Sequence, residues 1–560
     1  MRLLRTVLRQ VPLALILATI SACQARESAF DLVVRGGQVV DGSGAPARPA
    51  DVGIRGDRIA AVGDLSQAAA GVVIDAKGRI VSPGFIDVQG QSGVTLLADG
   101  NGESHLRQGI TTEIIGEGGS PAFWTAGTAD NDTLAPFGIT FDWTGFGGYF
   151  ARLRQSGIAV NLGTFVPATM VRRAVIGMEN RAPTTDELQR MEAMVDRAMS
   201  DGAFGLSSAL IYVPGSFAKT DELVALARVA ARHKGIYISH IRGESFNFLN
   251  ALDEAISIGR DAQLPVVIFH LKVGAKDNWG RMGEALAKIA SASSQGVKVS
   301  ATMYPYTAGG TGLAATLPLW VQEGGREKMI ERLNDPTIRA RARQEIETKI
   351  DGWENLLRAA TFEGIQIASV PKDFDQSVLG RRITEIASGR KQDPWDTYFQ
   401  LLIATGGRVS ALYHMMSEDD VKTALRSAVT IGTDSAALRA EGVLAQGSPH
   451  PRAYGTFPRV LGKYVRDEKV LTLPDAISAM TGRAAGQIGI RGRGSVTVGS
   501  YADLVVFDPD TIRDNATYER PHQYPTGIDY VLVNGVVVVD PKGLTGARPG
   551  RPLYGPARTP

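Results

Sequence analysis

The sequence predicts an α/β protein: a (β/α)8 TIM-type barrel that carries a small β-sandwich formed by both chain ends. Three observations predict it. Eight short, apolar, β-rich runs alternate with amphipathic stretches over the middle of the chain. Further β-rich segments punctuated by Gly turns lie at the two ends, flanking that centre. Polar and titratable residues gather at the C-terminal ends of the central runs, where a barrel keeps its chemistry.

The chain has 560 residues, 44% hydrophobic and 21% charged, with a net charge of +2. These are the proportions of an ordinary globular enzyme-sized body. No basic run points to nucleic acid, and no helix-length apolar span lies in the body of the chain. The N-terminus differs. Arg2, Arg5 and Arg9 precede the apolar run Val11 to Ile20, too short for a membrane span and of the length of a signal-peptide core. Ile20-Ser21-Ala22-Cys23 follows and resembles a bacterial lipobox, in which Cys23 becomes the lipidated first residue. Cys23 is the only Cys in the chain. Residues 1–23 are thus expected to be a signal peptide, and the protein an exported, periplasmic lipoprotein held to the membrane by its lipid anchor alone. Its body has no disulfide and depends on its core for stability.

Residues 30–82 read as the first part of the sandwich, through FDLVVRGGQVVDGSG, DVGIRGDRIAAVGD and VVIDAKGRIVSPG. Residues 485–545 supply the second part, through GSVTVGSYADLVVFD and YVLVNGVVVVD, and the Pro/Gly-rich residues 546–560 read as an irregular tail. Between them, residues 83–484 read as the barrel. Its expected strands are GFIDVQG, ITTEIIGEG, AVNLGTF, AFGLSSAL, GIYISHIR, PVVIFHLK, VKVSATMYPY and AVTIGTD. The stretch TDELVALARVAARHKG has a Thr placed to cap a helix, acids in the first turn and Gly235 as a stop. The charged, helical stretch Leu313 to Asn355 opens an insertion over about 313–400, between the seventh and eighth strands.

The residues that carry chemistry fall at the ends of these strands. Gln89 and Gln91 end the first, Glu117 the second, His240 the fifth, His270 the sixth and Asp434 the eighth. One strand-helix unit separates His240 from His270, so their strand ends are neighbours. Two imidazoles and one carboxylate leave a zinc ion one open position for water, as hydrolysis requires.

Segments along almost the whole chain resemble the N-acyl-D-amino-acid deacylase (D-aminoacylase) branch of the amidohydrolase superfamily. They include PGFIDVQGQS, QGITTEIIGEGGS, GLSSALIYVPGSFAKTDEL, YISHIRGES, IFHLKVGAKDNWG, MYPYTAGGTGL, IGTDSAAL and HPRAYGTFPRVLGKYVRD. The resemblance implies that His240 and His270 are the metal-binding His pair and that Asp434 is the catalytic acid/base. It puts Glu117 where well-known members have a metal-binding Cys. It departs at Gln89 and Gln91, where the superfamily normally has His-x-His holding a metal. Amide oxygen is a poor zinc ligand, so one zinc per chain is expected, on Glu117, His240 and His270. The resemblance further implies that Arg452 holds the substrate's α-carboxylate; Lys272, two residues after His270, is placed to help. Gln89 and Gln91 are expected to hydrogen-bond water or substrate. Tyr304 and Tyr306 are open between pocket lining and plain core. Gly309 and Gly310 replace polar side chains of family members and leave the acyl or side-chain preference open.

The other histidines are read more plainly. His105, His233 and His522 have no nearby partner that suggests chemistry, His414 precedes the eighth strand, and His450 is open between pocket and loop support. The expected activity is zinc-dependent hydrolysis of N-acyl-D-amino acids, small molecules that release a carboxylate and a free D-amino acid. A dipeptidase for peptides ending in a D-residue uses the same bond and clamp. A cyclic-amide hydrolase would have less use for Arg452. A catalytically inactive binding lipoprotein is the alternative of another class.

Overall fold

The computed structural model describes residues 29–125 and 131–558. The expected signal segment and its Cys23 lie outside the described residues. Among the described residues no helix is long and apolar enough to cross a membrane.

Eight parallel strands stand where the sequence reading puts them: Phe85–Asp87, Ile110–Ile115, Asn161–Thr164 continued by Val166–Pro167, Gly205–Ala209, Ile236–His240, Val266–Ile268, Val299–Met303 and Thr430–Ile431. Each pairs in parallel with the next in sequence order. A parallel bridge from Gly90 to Ser435 brings the first strand's end against the eighth's and closes the ring. The Asp87 carboxylate fastens this seam. Its Oδ1 accepts from the backbone N–H of Gln89 and of Thr433, both at 3.0 Å, and its Oδ2 from the Thr433 hydroxyl at 2.5 Å.

Strands whose residues are apolar on both faces are buried on both faces. Outside, helices Thr185–Asp201, Thr220–Arg232, Phe248–Ala262, Met282–Ser294 and Glu418–Leu425 pack in succession. Inside, Ile86, Ile114, Phe165, Ile238 and Val267 meet in one buried cluster that Ala484, Ala485 and Ile488 of helix Gly482–Ile488 join. The barrel is therefore a packed core, and polar groups are left to the strand ends.

Helix boundaries follow capping chemistry with one shift. Thr184 caps Thr185–Asp201 in a reciprocal capping box with Glu187. In the next helix Thr220 is the first helical residue and Lys219 holds the cap position, because the Thr220 hydroxyl donates to Glu254 Oε1 at 2.9 Å instead.

The excursion between the seventh and eighth strands is wider than its charged, helical part. Strands Ala308–Gly312, Ser410–His414 and Ile365–Ser369 form an antiparallel sheet that frames its helices. This unit has its own hydrophobic cluster, which includes Leu313, Leu333, Ile365, Tyr398 and Tyr413.

Strands from both chain ends meet in one nine-stranded sheet, in which Ile80–Pro83 from the front pairs with Leu504–Phe507 from the back. Beyond it the tail runs under the barrel, where Leu162 bridges Pro552 and Gly555 N donates to Gly202 O at 2.8 Å.

One polar knot ties sheet, barrel and tail. Asp503 is buried in an ion pair with Arg493 and accepts from the backbone N–H of Asn534 at 2.7 Å. The Asn534 amide donates to Asn161 Oδ1 at 2.9 Å, on the third barrel strand, and to Pro549 O at 2.8 Å, in the tail. Removing one member of a buried pair strands the other charge. Asp503→Ala is therefore expected to lower stability by about 3–5 kcal/mol, read as an earlier urea midpoint at unchanged slope. An unaltered midpoint would show that the knot is not a structural tie.

Candidate active site

Every catalytic and metal residue expected from the sequence opens onto one cavity of ≈ 300 Å³ at the C-terminal end of the barrel. Its centre is Glu117, two residues beyond the second strand. Glu117 Oε1 lies 2.9 Å from His240 Nδ1 and 3.0 Å from His270 Nε2. The two imidazoles stand edge to face with ring centres 4.4 Å apart. All three side chains are buried, and their ligand atoms lie within 4.8 Å of one another.

The rest of the network turns the lone pairs inward. Glu244 is buried behind the pair, its Oε1 2.8 Å from His270 Nδ1 and its Oε2 3.4 Å from His240 Nε2. A carboxylate behind an imidazole takes the outer N–H and leaves the inner nitrogen free for a cation. Two imidazole nitrogens and one carboxylate oxygen converge, with the outer nitrogen of His270 held by Glu244 and that of His240 facing the same carboxylate at 3.4 Å, and the set fits a divalent metal.

Charges follow the same pattern. Burial works against the Glu117 charge, but the facing His270 and His240 hold its carboxyl well below the usual range. Burial and the neighbouring Lys272 oppose a charge on His270, yet Glu244 and Glu117 outweigh them and raise it to about 9. The carboxylates of the site are thus matched to positive charge facing them.

Gln89 and Gln91 are placed differently from the expectation that they touch water or substrate. Both donate their amide N–H to Glu117 Oε2, each at 2.9 Å. The orientation of Gln89 is forced at its other end, where Oε1 accepts from the Thr302 hydroxyl at 2.9 Å and from the His270 N–H at 3.2 Å. Gln89 is buried with both ends spent and does not line the cavity, so it is no substrate ligand. Gln91 does line the cavity and reaches Asp434 Oδ1 at 3.4 Å.

Lys272 is paired within the same network. Its ammonium lies 2.6 Å from Glu244 Oε1 and 2.6 Å from His270 Nδ1, and it stands in the wall of the cavity beside the metal site. Arg452 is ion-paired and keeps donor capacity to spare. It is the first residue of helix Arg452–Arg459, buried, with Nη1 2.7 Å from Asp434 Oδ2 and its guanidinium over the Tyr304 ring at 4.6 Å. Its Nε has no hydrogen-bond partner. Burial raises the Asp434 carboxyl, and Arg452 opposes that rise only in part. Asp434 and His270 both hold positive φ, 48° and 34°, an uncommon backbone state for residues with side chains and one found at working sites.

The open readings resolve. Tyr304 lines the cavity, whereas Tyr306 lies outside it. His450 supports a loop: its Nδ1 accepts from Arg452 N at 3.0 Å and its Nε2 meets Ala308 O at 2.9 Å. His105 pairs with Glu113 at 3.1 Å in the core, and His414 meets Gln366 at 2.9 Å. His233 pairs with Asp196 at 2.9 Å and His522 with Tyr454 at 2.9 Å.

Sequence reasoning missed Glu244, Tyr212 and Glu354. An acid in the loop four residues after a ligand His was a usable signal for Glu244. Glu354 comes from the insertion and accepts from Glu244 N at 3.0 Å, a contact that no spacing announces. Tyr212 lines the cavity and accepts from the Thr311 hydroxyl at 2.9 Å, joining the fourth strand's loop to the insertion.

The barrel and this strand-end trio define a metal-holding amidohydrolase-type protein. The model of the amidohydrolase family matches residues 72–539. The D-aminoacylase of Alcaligenes xylosoxydans xylosoxydans is 36% identical over 534 residues, 95% of this chain and 99% of that protein. A solved D-aminoacylase, described by one-metal activation and second-metal attenuation of a binuclear centre, is 36% identical with a TM-score of 0.79, covering 94% of this chain and all of that one. The N-acyl-D-glutamate deacylase of Bordetella bronchiseptica, solved with zinc and a phosphonate mimic of the tetrahedral intermediate, is 34% identical with a TM-score of 0.79 over 94% of this chain. The chain belongs to the amidohydrolase family, on its D-aminoacylase branch.

If Gln89 and Gln91 hold Glu117 in place, Gln89→Ala or Gln91→Ala should weaken divalent-metal affinity about 10–100-fold, measured by competition with a chelator. Unchanged affinity in both variants would remove them from the metal site.

Proposed function

We propose that this protein hydrolyses the amide bond of N-acyl-D-amino acids, with one zinc ion per chain held by Glu117, His240 and His270. The relatives named for this activity support the substrate class and its handedness. The observation that carries the mechanism is the Asp434–Arg452 pair, 2.7 Å apart in the same cavity as the trio.

When bound, the cation supplies Lewis acidity: it polarises the scissile carbonyl and lowers the pKa of the attacking water. Asp434 is the proton carrier. Burial favours its protonated form, so it can take a proton from the water and return it to the leaving nitrogen. Arg452 presents a guanidinium fork to the substrate α-carboxylate, and that contact draws the cation away from Asp434 as substrate seats. Tyr304 steadies Arg452 from below through its ring face. Glu244 holds the outer nitrogen of His270, and Lys272 is paired with Glu244 beside it. Gln89 supports the reading of one ion per chain, because its amide oxygen already accepts from Thr302 and its N–H is given to Glu117.

We also read the nine-stranded sheet as folding over a core of its own into a sandwich, since Leu32, Val52, Ile54, Leu504 and Leu532 from both ends share one cluster. The proposed location is the periplasmic membrane surface, through the lipid on Cys23. Metabolic labelling with palmitate is expected in the full chain and absent in Cys23→Ser; equal labelling of both would refute the anchor.

For the chemistry, Asp434→Asn should retain its metal and lose about 10²–10⁴-fold in kcat. Arg452→Ala should act mainly on KM for substrates with a free carboxylate. A fully active Asp434→Asn would remove it as proton carrier, and an unchanged KM would remove Arg452 from the carboxylate.

A further inference from the structure

A second cavity of ≈ 380 Å³ adjoins the catalytic one. The two share Gln91, Gly118, Gly119 and Tyr212 in their walls, so these residues form the neck between them. The catalytic chamber takes Tyr304, Gly310, Asp434 and Arg452 from the seventh and eighth strands and their loops. The second chamber is built by the loops of the first four strands, with Val94, Trp124, Met170, Met178 and Pro214 among its walls.

The direction of the substrate follows from this division. The scissile carbon must lie between the trio and Asp434. The amino-acid half leads toward Arg452, on the side of strands seven and eight. The acyl half must then leave toward the opposite side, through the neck and into the second chamber. We propose that this chamber is the acyl site, and that it takes an apolar acyl group, a medium-length fatty chain, in preference to acetyl. The proposal rests on the reading of the protein as an N-acyl-D-amino-acid hydrolase.

The lining fits that class. Its walls are mainly apolar, and among the described residues that line it the only charged one is Arg173, which is exposed. An aminoacyl group would bring an ammonium into a chamber with no carboxylate to meet it, so the lining disfavours a dipeptide. The far wall is built in advance. Trp124 stacks on Trp143 with ring centres 6.1 Å apart, and the Trp143 indole N–H donates to Pro121 O at 2.9 Å. The neck is open because Gly119 has no side chain. A Cβ there would meet only the Met170 sulfur, at 3.8 Å, so a larger residue fits and closes the passage.

The test compares N-acetyl and N-octanoyl derivatives of D-leucine, D-methionine and D-glutamate with the metal-loaded protein. A buried methylene is worth up to roughly fourfold, so octanoyl should exceed acetyl by at least about thirtyfold in kcat/KM, chiefly through KM. Gly119→Val at the neck and Met178→Trp in the chamber should each cut the octanoyl-to-acetyl ratio by about tenfold or more. Cleavage of acetyl substrates with no octanoyl advantage would overturn the acyl site and leave the activity standing. Failure to cleave any derivative would overturn the activity. The chamber is then decided by calorimetry with decanoate alone: binding that weakens in Met178→Trp supports it, and no binding to the wild-type protein refutes it.

Discussion

Glu117 carries its charge at the bottom of a cavity, away from bulk water, and a buried carboxylate is tolerated only where both its oxygens are met. One oxygen faces His240 and His270; the other takes an amide N–H from Gln89 and from Gln91. The rest of the site depends on this sharing. The oxygen between the imidazoles is the one a cation can use, and the glutamines leave it no freedom to turn away. Gln89 then passes the constraint on, because its oxygen accepts from Thr302 and from the backbone of His270. The second, sixth and seventh strands are thereby locked in register with the first at the level where chemistry occurs.

That lock accounts for the strained backbone nearby. His270 and Asp434 both sit at positive φ, a state that costs of order 1–3 kcal/mol each and persists only where the surroundings impose it. For His270 the imposition is the contact of its N–H with Thr302 and Gln89. For Asp434 it is the barrel seam, where Asp87 holds Thr433 and Gln91 N donates to Ser435 O at 2.9 Å. The seam carboxylate is itself buried, and burial raises it to about 6. A residue outside the cavity therefore sets the angle at which the acid/base side chain enters it.

Much of this was legible in the sequence because the barrel imposes a simple rule, that chemistry lies at strand ends. Eight β-rich runs identify the strands, and Glu117, His240, His270 and Asp434 fall just at or beyond their ends. Residues whose roles depend on distant partners were not legible. A Gln pair in place of a His pair looks like a lost metal site from its spacing alone; only the shared contact with Glu117 makes it a support for the metal that is kept. The Gly-rich strand Ala308–Gly312 has poor intrinsic β propensity and forms because Ser410–His414 pairs with it from about a hundred residues away. Lys272 resembles a free cation in sequence, yet its ammonium is paired with Glu244, a partner the sequence reading did not single out.

The distribution of charge separates binding from catalysis. In the catalytic chamber Glu117 is matched by imidazoles and amides, Glu244 by Lys272, and Asp434 by Arg452. Arg452 alone combines a cation with an unpartnered buried nitrogen, so it is the group with most to gain from an incoming anion. A carboxylate arriving there completes the pairing of Arg452 and leaves Asp434 facing the trio with less positive charge against it. An anion placed on the opposite side, among the apolar walls beyond Gly119, would find, among the described residues that line it, only Arg173 at the surface. The cavity thus has one charged end and one apolar end, and an amide bond with a carboxylate on its nitrogen side fits it in a single direction.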